Sequence, residues 1–524
     1  MNGAHALIRT LVDRGVDTCF TNPGTSEMHF VAALDDVPAM RAVLALFEGV
    51  ATGAADGYAR MTGRPAATLL HLGPGLGNGL ANLHNARRAY SPVVNIIGDH
   101  ATTHRRYDAQ LQSDIETVAR NVSTFVRTSG STADLIGDAA AALSAAIGPP
   151  GSVATLILPA DVSWTMDDRL DHATAPAPAV ARAGTRPSED AVTAAAAALA
   201  SSEATVILIG GRACSGKALD RVADIAAATG TRLLAETFPA RLERGVGRPP
   251  VDRLAYLAEF AALQLDGSRH LVLVDAKAPV SFFAYPDRPS NLVPDGCTVH
   301  ELVGPGGDVD AALDALTASL EAPAGIGHRQ APGERAVLPT GALTAQAVSQ
   351  ALGALLPEGA IVSDEGNTSS LFAPGATAAA PPHDWLCLTG GAIGQGLPVA
   401  VGAAVACPDR PVVALEADGS ALYTLQAWWT MAREGLDVTT VLLNNRSYAV
   451  LNMELDRVGA GTPGPRARAL LDLSGPDLDF VSLATGMGLH AVRTDSAEGF
   501  SEALGRALAT PGPCLVEALV PGLV

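Results

Sequence analysis

Two stretches decide the fold: Val412-Val-Ala-Leu-Glu-Ala-Asp418-Gly-Ser420 and Thr439-Thr-Val-Leu-Leu-Asn-Asn445-Arg-Ser447-Tyr448. Each opens as a short apolar, β-branched run and ends abruptly in polar residues. A run of this length without alternation reads as a strand buried on both faces, the kind found in parallel sheets covered by helices. The polar clusters then fall at the carboxyl ends of their strands, where open α/β sheets hold ligands. Asp418 offers a carboxylate, Asn445 an amide oxygen and Ser447 a backbone carbonyl, a hard oxygen set that suits magnesium with phosphate oxygens and water in its remaining positions. Gly419 and Ser420, at the start of the following helix, offer a backbone N–H and a hydroxyl to a diphosphate. Asp-Gly-Ser alone is a common turn and Asn-Asn a common loop; the spacing and the two strand contexts give them meaning.

The same alternation extends along the chain. Ala4, Leu7, Ile8 and Leu11 make one face of an N-terminal helix whose charges rule out a signal peptide. Strands are expected at 16–20, 42–47, 68–72 and 93–97, with a turn at Asn22-Pro-Gly24 and helices from Ser26 and Glu48. The middle of the chain offers strands at 205–209, 232–235 and 270–274. Two stretches rich in Pro and Gly, 171–190 and 321–340, read as linkers. The expected architecture is α/β, three doubly wound domains with parallel sheets, over residues 1–170, 186–320 and 338–524.

Composition narrows the function. The 524 residues carry 35 Lys and Arg against 54 Asp and Glu, a net charge of −19, which speaks against nucleic acid and anionic membrane as partners. With 48% apolar residues the chain has ample material for packed cores. Its six cysteines are scattered without a C-x-x-C or a His cluster, so neither zinc nor a disulfide framework is expected. The uncharged stretch 388–408 is broken by Gly and Pro and reads as a buried loop and helix rather than a membrane span. A cytoplasmic location is expected. Gly211-Arg-Ala-Cys-Ser-Gly-Lys217-Ala218 approaches a phosphate-binding loop but lacks the hydroxyl after the lysine, and reads as a strand-to-helix turn.

Taken together, the motifs resemble the thiamine diphosphate-dependent 2-oxo-acid decarboxylases and acetolactate synthases. Asn22-Pro-Gly-Thr-Ser-Glu27, Phe47-Glu48, Ala55-Asp-Gly-Tyr-Ala-Arg60, Leu70-His71, Gly73-Pro-Gly-Leu-Gly-Asn78, Gly394-Gln-Gly-Leu-Pro398 and Asp418-Gly with Asn444-Asn445 stand in that family's order over nearly the whole chain. One departure is Ala417, where most relatives carry the first Gly of a Gly-Asp-Gly signature. The resemblance implies a pyrimidine-binding, a central and a diphosphate-binding domain, with thiamine diphosphate and Mg2+ as cofactors. It places Glu48 against the aminopyrimidine ring. Ile393 would prop the bent cofactor. Asn367, Thr368, Gly391, Asp418, Gly419, Ser420, Asn445, Ser447 and Tyr448 would bind the cofactor, and Asp418, Asn445 and Ser447 its metal.

Substrate residues follow from the benzoylformate decarboxylase branch of the family. His71 matches a pocket histidine with an acid–base role, Thr25 falls where a serine contacts the substrate carboxylate, and Gly24 beside it is expected at the substrate too. That branch's second pocket histidine has no counterpart, because Phe283 occupies the matching stretch. Glu454 stands where acetolactate synthases carry a Trp, as a pocket acid or a solvated helix acid. The implied enzyme decarboxylates a 2-oxo acid to an enamine, then releases an aldehyde or joins the acyl unit to an aldehyde or 2-oxo acid acceptor. The alternatives are an acetolactate synthase proper and a non-catalytic cofactor-binding paralogue; Glu48 argues against the latter. A homodimer or homotetramer is expected.

Overall fold

The computed structural model describes residues 1–171, 184–459 and 461–522. Three sheets carry it. The first has strands β1 (Thr18–Asn22), β2 (Arg41–Leu44), β3 (Ala66–Leu70), β4 (Val93–Asp99), β5 (Phe125–Thr128) and β6 (Val153–Pro159), all parallel, in the order 2-1-3-4-6-5. The second contains β7 (Thr205–Ile209), β8 (Arg232–Ala235), β10 (Asp252–Arg253), β11 (His270–Val274) and β12 (Thr298–Val303), parallel, in the order 10-8-7-11-12. In the third, β13 (Ile361–Glu365), β14 (His383–Cys387), β15 (Val412–Ala417), β16 (Val438–Asn444), β17 (His490–Thr494) and β18 (Cys514–Leu519) run parallel in the order 17-18-16-15-13-14. Doubly wound parallel α/β is the architecture throughout.

One element crosses the division of the chain into blocks. Strand β9 (Leu242–Arg244) belongs to the middle of the sequence, yet pairs antiparallel with β14 through Leu242–Trp385 and Arg244–His383, closing the edge of the third sheet. The stretch 321–340 is not a free linker either: Asp224 accepts the backbone N–H groups of Gly325 and Gly327, and Gln330 donates its N–H to Arg248. Most of the other expected linker, 172–183, lies outside the described residues.

Every residue of β4, β6 and β16 is buried, as expected of central strands covered on both faces. The first and third sheets share a core, in which Val50 and Ala54 meet Leu397 and Val401. Its centre is the crossing of two helices, Glu48–Thr62 and Gly396–Ala406. Glycines let their backbones touch: a methyl on Gly402 would lie 1.9 Å from the Ala54 carbonyl oxygen, and one on Gly57 2.2 Å from that of Val399. A larger residue at either position must force the helices apart. Next to this crossing, Arg60 and Asp56 form a fully buried ion pair at 2.6 Å, and Arg60 also donates to the Cys387 carbonyl at 2.7 Å. This satisfies both charges and ties the first block to the third. The uncharged stretch 388–408 is a loop followed by that 11-residue helix, and no helix among the described residues is long and apolar enough to cross a membrane.

Candidate active site

The carboxyl ends of β2, β1 and β3 are neighbours because β1 lies between the other two. β1 delivers Gly24 and a short 3-10 turn, Thr25–Glu27, which runs straight into the helix Met28–Ala33, so the helix expected from Ser26 is present with a tighter first turn. After β2, Phe47 serves as N-cap and Glu48 as first residue of its helix, where a carboxylate also suits the helix dipole. β3 stops at Leu70, so that His71 is not a strand residue but the N-cap of the helix Leu72–Arg88. A methyl built on Gly75 of that helix would lie 3.4 Å from Glu48 Oε1 and 3.5 Å from His71 Cβ. Glu48 and His71 thus flank one glycine, with Asn78 donating to Glu48 Oε2 at 3.0 Å.

Glu27 carries no role in the sequence motif that contains it, yet the structure puts it at the centre of a network. Its buried carboxylate accepts from the Gly24 N–H at 2.7 Å, from His71 Nδ1 at 2.9 Å and from the Ser26 hydroxyl. Ser26 Oγ also lies 3.2 Å from His71 Nδ1. With Nδ1 held, Nε2 is the ring nitrogen left for a ligand. Two glycines make room for the network: a methyl on Gly24 would strike the His71 ring at 2.2 Å, and one on Gly98 the Glu27 carboxylate at 1.7 Å. Thr25 itself is exposed.

The second group lies on the third sheet. Asp418 follows β15 and is buried; its Oδ1 accepts from the Gly419 N–H at 2.8 Å and its Oδ2 from the Arg446 N–H at 2.6 Å, joining the turns after β15 and β16. Burial pushes the Asp418 carboxyl above its ordinary range, and the backbone donors oppose this. Asn445 Oδ1 accepts the Ser447 N–H at 3.0 Å, and Asn367, with Thr368 next to it, donates to Ser420 Oγ at 2.9 Å. The Tyr448 ring lies so close that a methyl on Gly419 would meet it at 2.4 Å. Ala417 has φ −94° and ψ 152°, extended backbone open to any residue, so the missing glycine costs no strain.

Between the two groups runs the loop of Gly391 and Ile393. Asn82 donates both to the Gly49 carbonyl at 2.8 Å and to the Gly394 carbonyl at 3.0 Å, and Asn85 donates to the Ala392 carbonyl at 2.8 Å. Below it, Glu365 accepts the N–H groups of Gly394 and Gly396 at 2.8 and 2.6 Å. Burial raises the Glu365 carboxyl to about 7 and lifts the neighbouring Glu416 well above its usual range. Gly391 has φ +73°, and the residue lying on it is Phe282, 2.4 Å from a methyl built there. Phe283, the residue matched from sequence, stacks edge-on against Phe282 at 4.8 Å and is half exposed. Glu454 is no solvated helix acid: Tyr285 donates to it at 2.8 Å and Arg457 lies 3.5 Å away, its side chain only 14% exposed.

The donor set suits a diphosphate and a divalent cation: a buried carboxylate, an amide, small cradle residues at Gly419 and Gly391, and backbone donors about Asp418. Comparison with known proteins agrees on the class. The family model described as thiamine pyrophosphate enzyme, N-terminal TPP binding domain, matches residues 1–119, and its C-terminal TPP binding counterpart matches 364–518. The chain belongs to the thiamine diphosphate-dependent (thiamine pyrophosphate-dependent) 2-oxo-acid decarboxylase and acetolactate synthase family, and it is an enzyme. It is 59% identical, over the full length of both chains, to a Mycobacterium tuberculosis protein named "Putative acetolactate synthase large subunit IlvX". It is 29% identical to benzoylformate decarboxylase of Pseudomonas aeruginosa, covering 99% of this chain and 98% of that one. In fold it is similar to the thiamine diphosphate-dependent 4-hydroxybenzoylformate decarboxylase of Rhodococcus jostii RHA1, with a TM-score of 0.86, 24% identity and 99% of both chains covered.

Proposed function

We propose that this enzyme uses thiamine diphosphate and Mg2+ to remove carbon dioxide from a 2-oxo acid, and then releases an aldehyde or joins the acyl unit to a second carbonyl. The observation that carries this reading is the pairing of a sparsely bonded Glu48 with the Glu27–His71 dyad across Gly75. When bound, the cofactor supplies the electron sink for loss of carbon dioxide. Asp418, Asn445 and the Ser447 carbonyl would hold the metal. Asn367, Thr368, Gly419, Ser420 and Tyr448 would hold the diphosphate, and Gly391 and Ile393 the pyrimidine end. Glu48 holds a proton against the aminopyrimidine ring nitrogen. Glu27 fixes the ring orientation of His71 through Nδ1, so that Nε2 faces the substrate and moves a proton to or from it. Gly24 and Thr25 would line the substrate carboxylate, and Phe282, Phe283 and the Glu454 network the acyl side.

The reading is tested by measuring carbon dioxide release from a panel of 2-oxo acids, with and without aldehyde and 2-oxo acid acceptors. No release from any of them by cofactor- and magnesium-loaded protein overturns it. Release only when a second 2-oxo acid is condensed favours an acetolactate synthase proper, in keeping with the printed name of the 59% identical relative. Magnesium-dependent retention of the cofactor should be lost in Asp418→Ala. We also infer a homodimer or homotetramer, which light scattering on the active species tests; full activity in a monomer overturns that inference.

A further inference from the structure

A cavity of about 440 Å3 lies away from the site just described, where the helix Leu72–Arg88 ends against the second sheet's block. Arg87, Arg88, Tyr90, Thr124 and Ser152 line it from the first block, and Lys277, three residues past β11, from the second. We propose that it binds a small polyanion, a phosphate- or carboxylate-bearing metabolite.

Three cations line one cavity here in a chain of net charge −19, and no carboxylate lines it. Among the described residues none of the three is in an ion pair, whereas many of the chain's other arginines are. Lys277 is one of only two lysines in the sequence. Basic residues at a helix C-terminus complement its dipole, which accounts for Arg87 and Arg88 in part but not for Lys277 from another block. One acid acts on them from outside the cavity: the carboxyl of the partly buried Glu236 feels the charges of Arg88 and Lys277. It does not line the cavity, so it offsets the cations without occupying the space.

The backbone is shaped to this arrangement. Tyr90 has φ +55°, a left-handed conformation that favours glycine just beyond a helix end, and the Ser91 N–H closes the turn on the Ala86 carbonyl at 3.0 Å. A side chain held there against its backbone preference signals a use for the ring. Lys277 Nζ lies 5.8 Å from the centre of that ring. Gly151 passes beneath: a methyl on it would strike the Tyr90 carbonyl oxygen at 2.3 Å. Only glycine allows the loop 148–152 to approach and wall the cavity.

Isothermal titration of enzyme already loaded with thiamine diphosphate and magnesium, so that its diphosphate site is filled, tests the proposal. The probes are inorganic phosphate, pyrophosphate and citrate. Saturable binding of at least one probe, with one site per chain, is expected, and it should weaken as salt rises. Lys277→Gln and Arg88→Gln should each weaken it about tenfold, the loss of one charge-assisted bond. Arg466→Gln, an exposed cation elsewhere, should leave it unchanged. Tighter pyrophosphate than citrate assigns a phosphate ligand, and the reverse a carboxylate one. No saturable binding of any probe overturns the proposal. So does binding unaffected by either cavity variant, each first shown to melt within a degree or two of the parent.

Discussion

Glu27 follows β1 and Glu48 follows β2, adjacent strands of one sheet, and both side chains are buried, at 1% and 6% exposure. Glu27 is saturated: a backbone N–H, a serine hydroxyl and His71 Nδ1 all point at it. Glu48 accepts from the Asn78 amide, and Gly75 leaves the space beside its other oxygen open. A carboxylate ringed by donors is held in place and can orient what it holds. One with a single partner keeps an oxygen for a ligand's proton. The two glutamates share a strand-end position, and the number of donors around each separates a positioning role from a proton-handling one.

The largest expected effect is at Glu48. Glu48→Gln should retain cofactor but slow proton exchange at its thiazolium carbon by ~10²–10⁴, followed by NMR. Exchange at the parent rate would mean that the sparsely bonded carboxylate handles no proton. Glu27→Gln should act only through His71, lowering turnover by roughly tenfold and shifting the ratio of aldehyde to carboligation product. His71→Ala should shift the ratio in the same direction. Adding Glu27→Gln to it should cost little more, because the two act as a unit. Additive losses would break the dyad. Asn78→Ala removes the one amide from Glu48 and should reduce turnover a few-fold, on the order of the ~1 kcal/mol worth of one hydrogen bond.

A partly buried glutamate of the second sheet's block, Glu236, sharpens the contrast by having neither role. Glu236, at the end of β8, has only a long 3.4 Å contact from the Gly211 N–H, and burial raises its carboxyl from 4.5 to about 7. The folded chain therefore keeps this proton after the unfolded chain has released it, and stability falls as pH rises from about 4.5 to about 7. Glu236→Gln should remove that slope. The variant should gain at most about 3 kcal/mol over the parent at pH 8 and nothing at pH 4, read from denaturant melts, with turnover unchanged. A gain that is equal at both pH values would assign the effect to packing instead.

Three strands of the second sheet, Thr205–Ile209, Arg232–Ala235 and His270–Val274, were legible to the residue, whereas its edge strands Asp252–Arg253 and Thr298–Val303 carry too little apolar pattern to be read. The strands that deliver the site were legible only in part. β1 runs two residues further than expected, into Thr21 and Asn22, because its last residues pair with β3 while facing the site. β3 stops two residues earlier than expected, which frees His71 to cap a helix. Apolar patterning marks where a strand is buried, and site-facing ends are polar. Asp418, Asn445 and Glu48 were legible as motif residues. The Glu27–His71 bond and the Phe282 contact with Gly391 depend on residues 44 and more than a hundred positions apart, and no local pattern announces them.

Strand β9 has a consequence for anyone who would treat the chain as three interchangeable modules. Replacing residues 186–320 with the corresponding piece of a relative would strip Leu242–Arg244 from the edge of β14. The backbone of His383–Cys387 would then be an open template for another chain, the usual start of edge-to-edge aggregation. Successful chimaeras should therefore keep the 242–244 segment with the third sheet's sequence, or carry both pieces from the same parent.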